Sequence, residues 1–249
     1  MKSRIYWCEY LDGVPSSPYL DLIIPVGTTC WTGRLFEPTL FFVAMRVAVY
    51  VDGYNLFHAV DALRRPELHW LDMMALGASF CREEDALVRV SYFSAFATWL
   101  QGPFQRQRAY VAATSSLGVK CHMARFRRAE VRCASCGSTW DSHEEKETDV
   151  HFSLSLLEDA FDDVFDRAFV ISADSDHVPA IRRVRERFPA KSVILAAPPK
   201  RLKSAFALQQ VCTSFLEISA PRLERCLLPA EVRDSAGHIV AVRPARYSP

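Results

Sequence analysis

Glycine is scarce in this chain, only 9 of 249 residues, and no cluster of it forms a phosphate-cradling loop. Gly53 stands alone after an apolar run, which argues against a nucleoside triphosphatase or a dinucleotide-binding fold. Neither sign of charge is in excess: 30 Lys and Arg meet 29 Asp and Glu for a net of +1, so a polyanionic partner would have to be held by local patches. A disulfide framework is also missing, because the eight cysteines are scattered and only Cys133 and Cys136 have suggestive spacing. The longest weakly charged stretch, Leu22 to Gly33, is too short to span a bilayer and holds Pro25 and Gly27. A secretory leader is not expected, because Glu9 and Asp12 follow Lys2 and Arg4 and break up any apolar core. With half its residues apolar, the chain is expected to be a soluble cytoplasmic protein of one or two domains.

Residues 1–44 carry Pro15, Pro18, Pro25 and Pro38 without a sustained period, and they read as a poorly ordered or spurious extension upstream of a start at Met45. From there, strand-like runs at Val47–Val51, Val88–Phe93, Val119–Met123, Phe169–Ser172, Val193–Ala196 and Phe215–Ile218 alternate with helical patterns. The helices are expected around Leu71–Phe80, Gln105–Ser116, Asp149–Asp162, Val178–Arg187 and Arg201–Val211, and residues 221–249 read as a tail. Such alternation predicts a mostly parallel sheet covered on both faces, an α/β/α sandwich over residues 45–220. Ligands of such sheets bind beyond the carboxyl ends of the strands, where strand order reverses.

Four aspartates fall at such places. Asp52 ends the first strand, Asp174 and Asp176 follow the run Ala168–Ser172, and Asp149 opens a helix whose apolar stripe is read as Val150, Leu154, Leu157, Phe161 and Val164. Acids gathered at one end of a sheet repel one another unless a cation sits among them, and Mg²⁺ and Mn²⁺ prefer carboxylate ligands. Lys146, placed one helical turn before Asp149, is read as a counter-charge or a phosphate contact. The basic clusters Arg125–Arg132, Arg182–Arg187 and Lys200–Lys203 read as solvated faces, and His58, His69 and His151 as core or surface residues.

The strings Val51-Asp52-Gly53-Tyr54-Asn55-Leu56, Glu145-Lys146-Glu147-Thr148-Asp149-Val150 and Ser172-Ala173-Asp174-Ser175-Asp176 resemble, in order and spacing, the NYN domain, and in particular the bacterial LabA-like branch of the PIN-like nucleases. The resemblance runs from about Val47 to Ser219. It implies a three-layer PIN-like domain that hydrolyses RNA phosphodiester bonds at an Mg²⁺ or Mn²⁺ site. Matched position by position, Asp52, Asp149, Asp174 and Asp176 are the metal carboxylates, Asn55 a polar hydrogen bonder, and Ser172 and Ser175 supports for the ligands or a phosphate. Ala173 and His177 depart from the family pattern without removing a carboxylate. A Toprim-like domain, the rival with an Asp-x-Asp, would be expected to offer a glutamate where this chain has Asp52. A non-catalytic RNA-binding or regulatory module on the same fold is the alternative function, against which the intact acidic set argues.

A second constellation lies just upstream. Cys133-Ala134-Ser135-Cys136-Gly137 makes half of a tetrahedral zinc site, for which His143 is the expected third ligand and His122 or Cys121 the fourth. The segment 121–143 is thus expected to be a zinc-braced insert leading into Asp149.

Overall fold

The computed structural model describes residues 44–248, so the expected extension over residues 1–44 lies, apart from Ala44, outside the described residues. The chain starts with β1 (Arg46–Asp52), α1 (Gly53–Asp61), α2 (Met73–Ala78), β2 (Ala86–Ala95), α3 (Gln101–Ser116), β3 (Lys120–Arg132) and β4 (Thr139–Lys146). It continues with α4 (Thr148–Phe161), β5 (Arg167–Ile171), α5 (Val178–Arg187), β6 (Ser192–Ala197), α6 (Phe206–Val211), β7 (Ser214–Glu217), α7 (Ala220–Glu224), β8 (Glu231–Arg233) and β9 (Ile239–Val242). Seven strands form one sheet in the order β4-β3-β2-β1-β5-β6-β7. Every pairing is parallel except β3 with β4.

The chain builds outward from β1 through β2 and β3, then returns to lay β5 against the other side of β1. Strand order therefore reverses between β1 and β5, and the crevice at their carboxyl ends is the place where such a sheet receives a ligand. β1 is buried on both faces: Val47, Val49 and Val51 enter one core with Leu56, Trp70, Tyr92 and Tyr110, while Ala48 and Tyr50 enter the other with Phe152, Phe165 and Leu195. Continuous apolar composition is what a strand with two covered faces requires.

Several expectations need correction. Helix α1 was not anticipated, yet Leu56, Ala59 and Val60 give it a buried face immediately after Asp52. The stripe expected on α4 is rotated: Val150, Leu154 and Phe161 are exposed, and Phe152, Leu156 and Ala160 face the sheet. Both rows recur at helical spacing, so periodicity alone could not choose between them. Residues 221–248 are no tail. Val232, Ala241 and Tyr247 fill the core beside α3, and the Trp70 indole donates to the Pro229 carbonyl at 2.8 Å. The segment 121–143 is a long antiparallel hairpin, β3 with β4, laced by Arg128 donating to both oxygens of Asp141 at 2.8 and 2.7 Å.

Candidate metal centre

At the end of β1, Asp52 is buried and both its carboxylate oxygens are engaged. Its Oδ1 accepts the Asn55 amide at 3.0 Å, capping α1, and its Oδ2 accepts the Ser172 hydroxyl at 2.8 Å. Gly53 is required here, because a Cβ would meet the Tyr92 ring at 2.6 Å and the Phe93 carbonyl at 2.7 Å. The chain after β5 is fastened to the same place: Asn55 Oδ1 accepts from the Ala173 amide at 3.1 Å, and Ser172 Oγ accepts from the Asp174 amide at 3.0 Å. Asp174 Oδ1 in turn accepts the Asp176 amide at 3.0 Å and caps a short turn over Ser175–His177. Asp52 and Asp174 are thereby locked to one another through Ser172.

Asp149 arrives from the first turn of α4, where the helix dipole favours an anion. Between it and Asp52 lies His177, whose side chain is 1% exposed and stacked on Phe152 at a ring distance of 4.0 Å. The His177 Nε2 is 3.5 Å from Asp52 Oδ2 and 3.9 Å from Asp149 Oδ1. One atom from each of Asp52, Asp149 and His177 lies within 4.8 Å of the others, the single such group among the described residues. A cleft of about 340 Å³ opens beside them, lined by Asp52 and Asp149 with Tyr54, Asn55, His58, Glu145, Thr148, Asp174 and Arg201.

Two carboxyls of the cleft are raised, chiefly by burial and further by their acidic neighbours. Burial pushes the Asp149 carboxyl above its ordinary value; His177 opposes this, and Asp52, Asp174 and Asp176 add to it. Burial likewise raises Glu145, helped by the charges of Asp52 and Asp149. Glu145 Oε1 and His177 Nδ1 are both buried without a hydrogen-bond partner among the described residues. Raised carboxyls and unsatisfied buried atoms around one cleft suit a bound divalent cation, and carboxylates with one imidazole suit Mn²⁺ at least as well as Mg²⁺.

Not every expected residue belongs to the cleft. Asp176 and Ser175 are exposed on the turn and do not line it. Ser172 is fully buried, with its hydroxyl used between Asp52 and Asp174, so it supports a carboxylate and does not face a phosphate. Lys146 lies on a strand, not a helix, and pairs with Glu144 at 2.7 Å on the face opposite Glu145. Two cleft residues and one behind them carried weak or no signals: Glu145 was hidden in an acidic run, Arg201 in a basic one, and the buried His177 in a departure from the family pattern.

The expected zinc ligand set is not brought together. Cys133 and Cys136 sit at the hairpin tip, in a turn closed by the Gly137 amide to the Cys133 carbonyl at 2.9 Å. His143 pairs with Arg128 along the hairpin and stacks on Trp99 at 3.8 Å. His122 stands at its base against Phe93 at 4.7 Å, alongside Cys121 in β3, ten strand residues from the tip. An extended hairpin spreads these side chains at roughly 3.3 Å per residue, so they cannot close a site. The Cys133 thiol is held down to about 6 by the Ser135 hydroxyl and by neighbouring backbone amides.

Comparison with known proteins gives one strong and one loose likeness. Among curated proteins none matches the chain. A solved structure of a protein of unknown function from Vibrio parahaemolyticus aligns with 21% identity over 74% of this chain and 97% of that one, at a TM-score of 0.46. The family model described as NYN domain matches residues 46–219, a span that holds every strand of the large sheet and every lining residue of the acidic cleft. The chain belongs to the NYN domain family, a family of PIN-like nucleases.

Proposed function

We propose that this protein is a metal-dependent endoribonuclease of the LabA-like branch, which hydrolyses RNA phosphodiester bonds at the carboxyl edge of its sheet. The observation that carries the reading is the convergence of Asp52, Asp149 and Asp174, from three separate segments, on one cleft, with the Asp149 carboxyl raised by burial and by its acidic neighbours. Asp52, Asp149, Asp174 and His177 would hold the cation. When bound, Mg²⁺ or Mn²⁺ supplies positive charge for the phosphoryl oxygens and makes water a better nucleophile. Asn55 keeps the Ala173 amide and hence the Asp174 loop in place, and Arg201 offers its guanidinium to a phosphate entering the cleft. Glu145 lines the same cleft with its carboxyl raised by burial, which suits a group that exchanges a proton there. Asp176 contributes only at longer range, through its charge on Asp149.

The two tip thiols keep a proposed role as half of a zinc site, with the remaining ligands supplied by groups other than Cys121, His122 and His143. The free thiols of the described residues fit a reducing compartment, the cytoplasm. No helix among the described residues is long and apolar enough to cross a membrane.

The test is cleavage of a generic single-stranded RNA in Mn²⁺ by the wild type beside Asp174→Asn. The reading expects cleavage by the first, abolished by EDTA, and none by the second. Equal cleavage by both would overturn it. Binding of RNA with no turnover by the wild type would favour the non-catalytic module.

A further inference from the structure

A larger cavity, of about 880 Å³, opens beside the acidic cleft, and Tyr54 lines both. Its volume lies in the range of small-molecule sites. Along one wall the rings of Phe57, His69 and Tyr247 form a row, with centroids 4.6 Å apart for the first pair and 5.3 Å for the second, and interplanar angles of 37° and 33°. Phe57 keeps 43% of its surface exposed, an open aromatic face in a cavity wall. Burial lowers the proton affinity of His69, with Asp61 opposing this and Arg246 and Arg106 adding to it.

Cations surround this row. Arg64, Arg106 and Arg246 line the cavity, and none of the three has a carboxylate partner among the described residues. Arg106 Nε is buried with no hydrogen-bond partner among the described residues, a costly state for a guanidinium unless something anionic completes it. Asp61, the acid of the lining, is engaged with His69 at 3.4 Å, and Arg65 is paired with Glu67 and Glu224. A flat aromatic face beside unpaired guanidiniums selects a ligand that is itself flat and anionic.

We propose that this cavity holds one nucleotide of a single RNA strand, its base on the Phe57 face and its phosphate on Arg106 and Arg246, while the neighbouring phosphodiester lies in the acidic cleft across Tyr54. That the nucleotide belongs to an RNA strand rests on the ribonuclease reading; the nucleotide site itself does not. Base stacking on aromatic rings is tolerant of sequence, so the site would hold the strand in register without choosing a base.

The experiment is calorimetric titration of the full chain, in EDTA, with uridine 5′-monophosphate and adenosine 5′-monophosphate, with uridine and inorganic phosphate as controls. Both nucleotides should bind, each more tightly than either control. Arg246→Gln, an exposed change, and Phe57→Ala should each weaken nucleotide binding at least tenfold while leaving the melting temperature within a few degrees of the wild type. Asp174→Asn should bind nucleotide normally, which separates this site from the catalytic one. With a long RNA substrate in Mn²⁺, Arg246→Gln should raise KM about tenfold and change kcat far less. Absence of nucleotide binding, affinity untouched by both cavity variants, or phosphate binding as tightly as the nucleotides would each overturn the proposal. Nucleotide binding in a protein that cleaves nothing would leave the site standing and remove the ribonuclease reading instead.

Discussion

The two ends of the central sheet treat their acids in opposite ways. At the amino edge three carboxylates are answered by donors: Asp85 accepts the amides of Arg82 at 3.0 Å and Met45 at 3.2 Å and the guanidinium of Arg167 at 3.0 Å. Asp166 takes the backbone and side chain of Arg46 at 2.7 to 3.1 Å, and Asp163 sits between Arg46 and Lys191. Burial would raise Asp85, but these donors outweigh it and hold the carboxyl below its ordinary value; the Arg46 guanidinium does the same for Asp166. At the carboxyl edge, Asp149 and Glu145 are raised. The difference teaches that the acids of the amino edge stabilise the fold, whereas those of the carboxyl edge are held together against their own repulsion. An arrangement that costs stability and persists at a cleft is a mark of function.

The largest way to break the contrast is to remove the floor of the acidic edge. Phe152→Ala deletes the ring beneath His177 and leaves a void among Tyr50, Phe93 and Phe152's other neighbours, so a loss of about 3–5 kcal/mol is expected. Leu154→Ala, one row round the same helix and exposed, should change stability by less than about 0.5 kcal/mol. Denaturant unfolding of the pair checks this, and equal losses would restore the rotated stripe.

Next in size is the amino edge. Asp85→Asn should lower stability by about 1–3 kcal/mol near neutral pH, because it unmakes a charged hydrogen-bonded pair whose carboxylate is 2% exposed. The sign follows from the depressed carboxyl: its contribution is fully present above the unfolded value of about 4, and it is lost as pH falls through the lower folded value. Wild type and variant should therefore melt far apart at pH 7 and converge in acid. RNA cleavage should persist in the variant at temperatures below its melting point.

Comparable in size is the effect of the cation on the carboxyl edge. A ligand that binds only the folded state at a hundred times its Kd adds about 2.7 kcal/mol, so Mn²⁺ should raise the wild-type melting temperature measurably and leave Asp149→Asn nearly unmoved. For the hairpin tip, elemental analysis of protein purified without added metal should find zinc in the wild type and less in Cys133→Ser, while His143→Ala and His122→Ala retain it. Zinc loss in the histidine variants would contradict the extended hairpin.

Much of this was legible in the chain. The apolar runs predicted six of the seven strands of the large sheet, since a strand buried on both faces must be apolar throughout, and the aspartates at strand ends pointed to the right edge. What failed depended on orientation. Lys146 and Glu145 are adjacent, and only the pleat of β4 decides which one enters the cleft. His143 and Cys133 are ten residues apart in sequence, and only the knowledge that the intervening segment is extended keeps them from one metal site. The role of His177 needed Phe152, which needed the correct face of α4.

The most direct test of the central claim follows Asp149→Asn beside the wild type in two assays on the same preparations, melting without metal and RNA cleavage with Mn²⁺. Asp149 accepts no hydrogen bond among the described residues and is half exposed, so the change to the isosteric amide removes charge and little else. The account predicts that cleavage falls by about 10²–10³-fold, the size of effect seen when one group that stabilises transition-state charge is removed. It predicts also that the melting temperature without metal stays level or rises, because repulsion among the acids is relieved. A variant that cleaves as the wild type does, or one that loses activity only because it melts earlier, would contradict it.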